Sequence, residues 1–411
     1  MKRRDFIGCT GKSLLLTQLY YSCSPRPKSL NNSYLVETPE KRDEYMVRML
    51  KTICTDLGHH PIGSKEYDKA ALTIKKEMES SLPAVELDTF NFEKWELRSE
   101  PELYVGDKRL ETYLGHGTTG TPDNGLIGVL KKIEDKGGIP YGLVDKLSGE
   151  IKAYVTISQY GKAVPLVYYS FGREVKCPPI FNIGKQDVPE LEKAISEQLP
   201  VRMKAKVTFS PDTASSNVIG SLPGETDEEI VFLAHLDTVY SSPGANDNTA
   251  SVVAMLWLAH AFSGTRMRKT LTFAATTGEE YGKLGAINYS ERRKKEGTLN
   301  KIKFLVNLDS VTWGPNMKIN TADEELMSMI LAIDQELNIP GTPLWETKDG
   351  FQLDAKPFSE STARAVYVNS EGYNLTHLWH RPEDLPETVP VDCAENFFRI
   401  FYEFIKRVQQ L

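Results

Sequence analysis

Residues 234–250 read AHLDTVYSSPGANDNTA, a turn-rich loop that sets His235, Asp237 and Asp247 between two strongly apolar runs. A lone acid or histidine in such a loop is usually a solvated connector. Here the pattern repeats: TLTFAATTG is followed by Glu279 and Glu280, and KIKFLVNL by Asp309. Imidazole nitrogen and carboxylate oxygen, with no thiolate, are the ligand types of a catalytic zinc site or of a harder divalent cation. Carboxylates drawn together repel one another, and they stay ionised only with positive charge among them. A divalent metal centre is the chemistry these residue types imply.

That chemistry requires elements that bring the residues together. EIVFLA (229–234) is the continuous apolar run of a parallel strand buried on both faces. SVVAMLWLAHAF (251–262) is apolar almost all round and stops before Gly264, as a helix packed on a sheet would be. TLTFAA (270–275), a helix around LGAINYSERR, and KIKFLVNL (301–308) follow. This alternation predicts an α/β fold, an open and mostly parallel central sheet with helices on both faces. Sites in such sheets lie beyond the carboxyl ends of the strands. His235, Asp237, Glu279, Glu280 and Asp309 all fall there, and Asp247 falls just before the buried helix.

The rest of the chain supplies context. A helical pattern begins at Lys41, through Met46, Val47, Met49, Leu50 and Ile53. The turn GHHPIGS (58–64), a second helix through Ala70, Ala71, Ile74 and Met78, and the strand VELDTFNFE come next. Residues 98–209 are rich in Gly and Pro, with short strand-like runs such as IKAYVTI (151–157) and VRMKAKVTF (201–209) and one helix, VPELEKAISEQL (188–199). They predict a smaller, β-rich inserted domain, flanked by a main domain of residues 41–97 and 210–411. The net charge is −7, with acids and bases interspersed and no basic stripe, so nucleic acid is not an expected partner. No run reaches the roughly 20 apolar residues of a membrane-spanning helix. MKRRDFIGCTGKSLLLTQLYYSC has the layout of an export signal over residues 1–22, with residues 23–40 as a tether. The Arg3-Arg4 pair resembles a twin-arginine signal, and LYYSC resembles a lipoprotein cleavage box with Cys23 as lipid acceptor. An exported bacterial protein, periplasmic or lipid-anchored to the membrane, is the localisation this predicts. Beyond Cys9 and Cys23, the scattered Cys54, Cys177 and Cys393 form no disulfide framework.

The phrases HLD (235–237), PGANDN (243–248), GEE (278–280), NLD (307–309) and HRPED (380–384) resemble, in order, the motifs of the M28 family of co-catalytic zinc exopeptidases. The resemblance covers residues 217–390; GHHPIGSKEYDKAALTI (58–74) resembles the family's N-terminal region, and the insertion resembles a protease-associated domain. The phrase PGANDNTASVV favours M28 over the related M20 peptidases.

The resemblance implies a cofactor of two zinc ions, peptide substrates, and an aminopeptidase reaction that hydrolyses N-terminal residues. Asp247 would bridge the two ions, His235 and Asp309 would complete one, and Glu280 and His380 the other. Glu279 would be the general base, Asp237 would accept the second N–H of His235, and Asp384 would do the same for His380. His377 competes with His380, and the phrase HRPED selects His380; His59, His60, His116 and His260 carry no assigned chemistry. The oxyanion-stabilising tyrosine of many members is replaced by Trp379 in one expected place and Phe351 in another, with Tyr373 as a candidate substitute. Two other readings fit the same fold: a non-catalytic receptor, and a single-zinc glutaminyl cyclase. The complete ligand set argues against both.

Overall fold

The structure, a computed structural model, describes residues 38–134, 139–167, 176–341, 344–346, 349–372 and 375–411. The expected export signal, Cys23 and most of the tether lie outside the described residues, as does Tyr373.

Two helices open the described chain, α1 (Pro39–Leu50) and α2 (Lys65–Glu79), capped by the side chains of Thr38 and Ser64. Of the apolar residues that predict α1, Met46, Met49 and Leu50 are buried, while Val47 is 58% exposed on the outer face. Then β1 (Ala84–Leu97) leads into a second sheet made of β2 (Glu102–Val105), β3 (Lys108–Leu110), β4 (Thr112–Leu114), β5 (Leu126–Lys132), β6 (Tyr141–Val144), β7 (Ile151–Ile157), β8 (Ile180–Ile183) and β9 (Val201–Lys204). Its order is β3-β2-β9-β5-β6-β7-β8-β4, and α3 (Val188–Ser196) packs on it. The run VRMKAKVTF is not one strand. It breaks at Ala205-Lys206, where β9 ends in the second sheet and β10 (Val207–Leu222) begins its long antiparallel ribbon with β1.

The central sheet is completed by β11 (Glu229–His235), β12 (Thr270–Thr276), β13 (Ile302–Leu308), β14 (Asn316–Asn320), β15 (Leu344–Glu346) and β16 (Arg364–Glu371). Its order is β1-β10-β12-β11-β13-β16-β14-β15, and the four middle strands are parallel. Their continuous apolar sequence follows from burial on both sides. Ile230, Phe232 and Ala234 of β11 enter one core, while Val231 and Leu233 enter the other.

The first core holds α1, α2, α4 (Ala250–Ala261) and α8 (Val391–Val408), and α6 (Glu324–Leu337) packs against α8. The second holds α5 (Leu284–Lys295) and the 351–365 segment. In α4 every residue but His260 is buried, which explains why its sequence has no polar face. The chain thus leaves β11 over one face, enters β12, and crosses back over the other face to β13. That reversal creates a switch point beside β11, where ligand sites form. Among the described residues no helix is long and apolar enough to cross a membrane.

Candidate metal centre

His235 is the last residue of β11 and pairs with Thr276, so its ring leaves the sheet at the carboxyl edge. Glu279 and Glu280 follow β12, and Asp309 follows β13, its N–H donating to Val368 O at 3.0 Å. Asp247 lies in the 245–249 turn that enters α4. His380 follows the short helix α7 (Leu375–Leu378), whereas His377, within α7, is exposed. The expected ligands His235, Asp247, Glu280, Asp309 and His380 are all buried.

The structure brings them together around one carboxylate. Asp247 Oδ1 lies 3.4 Å from His235 Nε2, and Asp247 Oδ2 lies 3.8 Å from His380 Nε2. Asp309 Oδ1 is 3.9 Å from His235 Nε2, and Glu280 Oε2 is 2.9 Å from His380 Nε2. Ligand atoms of His235, Asp247 and Glu280 all fall within 4.8 Å of one another.

The rings are set for coordination. His235 Nδ1 lies 3.0 Å from Asp237 O, and His380 Nδ1 lies 2.9 Å from Pro165 O. A carbonyl only accepts, so each Nδ1 carries the proton and each Nε2 presents its lone pair to the carboxylates. Lone pairs facing carboxylate oxygens attract only if a cation or a proton lies between them. Two imidazole nitrogens and three carboxylates form a donor set suited to zinc.

The electrostatics express the same demand. Burial alone would lower the His380 pKa, yet Glu280 and Asp247 outweigh it and raise it to about 8. Burial, with Asp354, Glu280 and Asp309 nearby, pushes the Glu279 carboxyl well above its usual range against the opposing pull of His235. Glu279 is the neighbour of Glu280 after β12, and its N–H donates to Asp237 Oδ1 at 3.1 Å.

Two expected supporting contacts are different in the structure. The Asp237 carboxylate does not take the His235 N–H, from which it stands 3.8 Å away; the neighbouring main-chain carbonyl does. Asp237 instead fixes the main chain at Glu279. Asp384 does not touch the His380 ring. It accepts from Asn246 N at 2.9 Å, Asn246 Nδ2 at 2.9 Å and Asp247 N at 3.1 Å, holding the turn that presents Asp247. Asp384→Ala would strand these buried donors, and a loss of about 3 kcal/mol in unfolding free energy is expected. Urea denaturation checks it; a loss of under half that figure would contradict the assignment.

A cleft of about 1040 Å³ opens over Asp247, Glu279, Glu280, Asp309 and His380. Tyr160, Trp313, Tyr367 and Trp379 form aromatic walls, and Leu166 and Val167 reach in from the strand connections of the second sheet. Trp379 stacks on His380 with ring centroids 3.6 Å apart and meets Tyr160 edge-on at 4.6 Å. Phe351 packs with the second core. Tyr367 is a residue that the sequence reading missed. It lies in the middle of β16 (RAVYVNSE), where the strand-end rule does not look, and reaches the cleft because it pairs with Asn307, two residues before Asp309. The contribution of Pro165 is a main-chain atom and leaves no signal in side-chain identity.

An open, largely parallel α/β sheet with this histidine–carboxylate cluster at its switch point defines the zinc-exopeptidase class of fold. Residues 217–405 match the model described as Peptidase family M28. Aminopeptidase YwaD of Bacillus subtilis (strain 168) is 26% identical over 247 residues, 58% of this chain; the chain spans only 53% of that relative's length. Among solved structures, BSAP, a zinc aminopeptidase from Bacillus subtilis, superposes with a TM-score of 0.69 at 20% identity, covering 89% of this chain and 94% of that one. A Peptidase M28 precursor from Shewanella amazonensis SB2B gives 0.72 at 16% identity, covering 89% and 95%.

Proposed function

We propose that the protein is a two-zinc metallo-exopeptidase of aminopeptidase type, releasing N-terminal residues from peptides. One observation carries the reading: the two oxygens of Asp247 face two different histidines, as a bridging carboxylate requires. His235 and Asp309 would hold one ion and Glu280 and His380 the other. The similarity to Aminopeptidase YwaD supports the choice of reaction.

When bound, the ions supply polarisation of the scissile carbonyl and a lowered pKa for water. The chain's own residues do the rest. Glu279 takes the proton of the attacking water and passes it to the leaving amine. Burial and the neighbouring acids raise its pKa, which makes its carboxylate a stronger proton acceptor than a solvated one. Asp237 fixes the main chain of Glu279, so that the carboxylate stays beside the ligands without joining them. The aromatic walls of the cleft hold the substrate's side chain and exclude bulk water.

A panel of aminoacyl and dipeptide substrates, assayed with and without chelator, tests the reading. Release of N-terminal residues that stops on chelation and returns with zinc is expected; chelator-insensitive hydrolysis would refute it. The Arg3-Arg4 pair and LYYSC further support export with a lipid on Cys23. Intact mass of the membrane-extracted protein should show an N-terminus at Cys23 bearing diacylglycerol, and an unprocessed Met1 would contradict this.

A further inference from the structure

The two ligand histidines are oriented from different parts of the molecule. His235 gives its Nδ1–H to Asp237 O, two residues along the same loop. His380 gives its own to Pro165 O, which belongs to the connection after β7 of the second sheet. That connection is tied into its own sheet: Val164 N donates to Asn182 Oδ1 at 2.9 Å, and Asn182 Nδ2 to Thr156 Oγ1 at 3.0 Å. Arg381, 5% exposed, spans the junction. Its Nη1 donates to Ala163 O at 2.7 Å, and its Nη2 reaches Glu111 Oε1, between β3 and β4, at 3.1 Å. His380 itself sits at φ 59°, a left-handed conformation that a residue with a Cβ holds only when its surroundings impose it.

We propose that Arg381 is a positioning residue that locks the 163–165 segment of the second sheet onto His380, so that the Glu280–His380 metal position depends on the docked second sheet and the His235–Asp309 position does not. This rests on the two-zinc reading above. The physical reason is that a histidine ligand loses affinity when the acceptor fixing its other nitrogen is displaced, by about 10–100-fold. Only one of the two histidines has that acceptor outside the main sheet. The guanidinium fork reaches the Ala163 carbonyl and the Glu111 carboxylate together, a geometry an ammonium does not reproduce.

The test is zinc affinity of the full chain, read by competition with a chromogenic chelator, with zinc-edge anomalous occupancy locating each ion. Arg381→Ala and the remote Asn182→Ala are each expected to weaken the ion at Glu280 and His380 by about 10–100-fold and leave the other at wild-type affinity. Arg381→Lys should fall between Arg381→Ala and wild type, and it is read by the same criterion should either alanine variant fail to fold. Unchanged affinities, equal loss of both ions, or loss at His235 and Asp309 would overturn the inference. A wild-type protein that binds fewer than two ions would instead remove the two-zinc reading, and this inference with it.

Discussion

Replacing Glu279 with glutamine is expected to lower kcat by about 10²–10⁴-fold with zinc content unchanged. Glutamine has the size of glutamate, and the main-chain bond from residue 279 to Asp237 Oδ1, 3.1 Å in the structure, does not involve the side chain. The amide cannot take a proton, so the loss falls on the chemical step and KM moves little. Stability should move the other way. The Glu279 carboxyl is held above its usual range by burial and by the charges of Asp354, Glu280 and Asp309. Glutamine carries no ionisable group to be buried among these acids, and the metal-free variant should unfold at a temperature no lower than metal-free wild type. Steady-state kinetics with thermal scans check both halves. Full activity in the variant would remove Glu279 from the reaction.

Asp247→Asn should do more than slow the reaction; it should empty the site. The carboxylate stands between His235 and His380, one oxygen towards each, 3.4 and 3.8 Å away. Asparagine offers one oxygen and turns an N–H₂ towards the other pole, so one ion loses a ligand and faces a donor instead. The remaining carboxylates also lose a share of the negative charge that balances two divalent ions. Bound zinc after dialysis is expected to fall from two ions to fewer than one, with activity down at least as far as in Glu279→Gln. Retention of two ions would show that Asp247 does not bridge.

These outcomes depend on residues of unequal legibility. His235, Asp309 and the Glu279-Glu280 pair can be read from the sequence because each follows an apolar run, and parallel strands end at a common edge. Asp247 is legible through its Gly-rich turn before a helix with no polar face. His380 has no strand to announce it and is found through the phrase HRPED alone. What the sequence hides is mostly main chain. The acceptors of both imidazole N–H groups are carbonyls, of Asp237 and Pro165, and a carbonyl is the same whichever residue bears it.

Side-chain placement hides the rest. Asp237 and Asp384 look like partners for the neighbouring histidines, but Asp237 turns to the Glu279 N–H and Asp384 to the Asn246-Asp247 turn. An aspartate carboxylate readily accepts from nearby main-chain N–H groups in a turn, and here both acids do so and leave the histidine rings alone. The second sheet shows the same limit. Its strands are short and separated by Gly and Pro, so periodicity finds IKAYVTI correctly as β7 and merges β9 with β10.

Anomalous diffraction at the zinc edge, on crystals of the zinc-loaded protein, tests the central claim most directly. Two peaks are predicted on either side of the Asp247 carboxylate, one against His235 and Asp309 and one against Glu280 and His380. A single peak, or two peaks that Asp247 does not separate, would contradict the account.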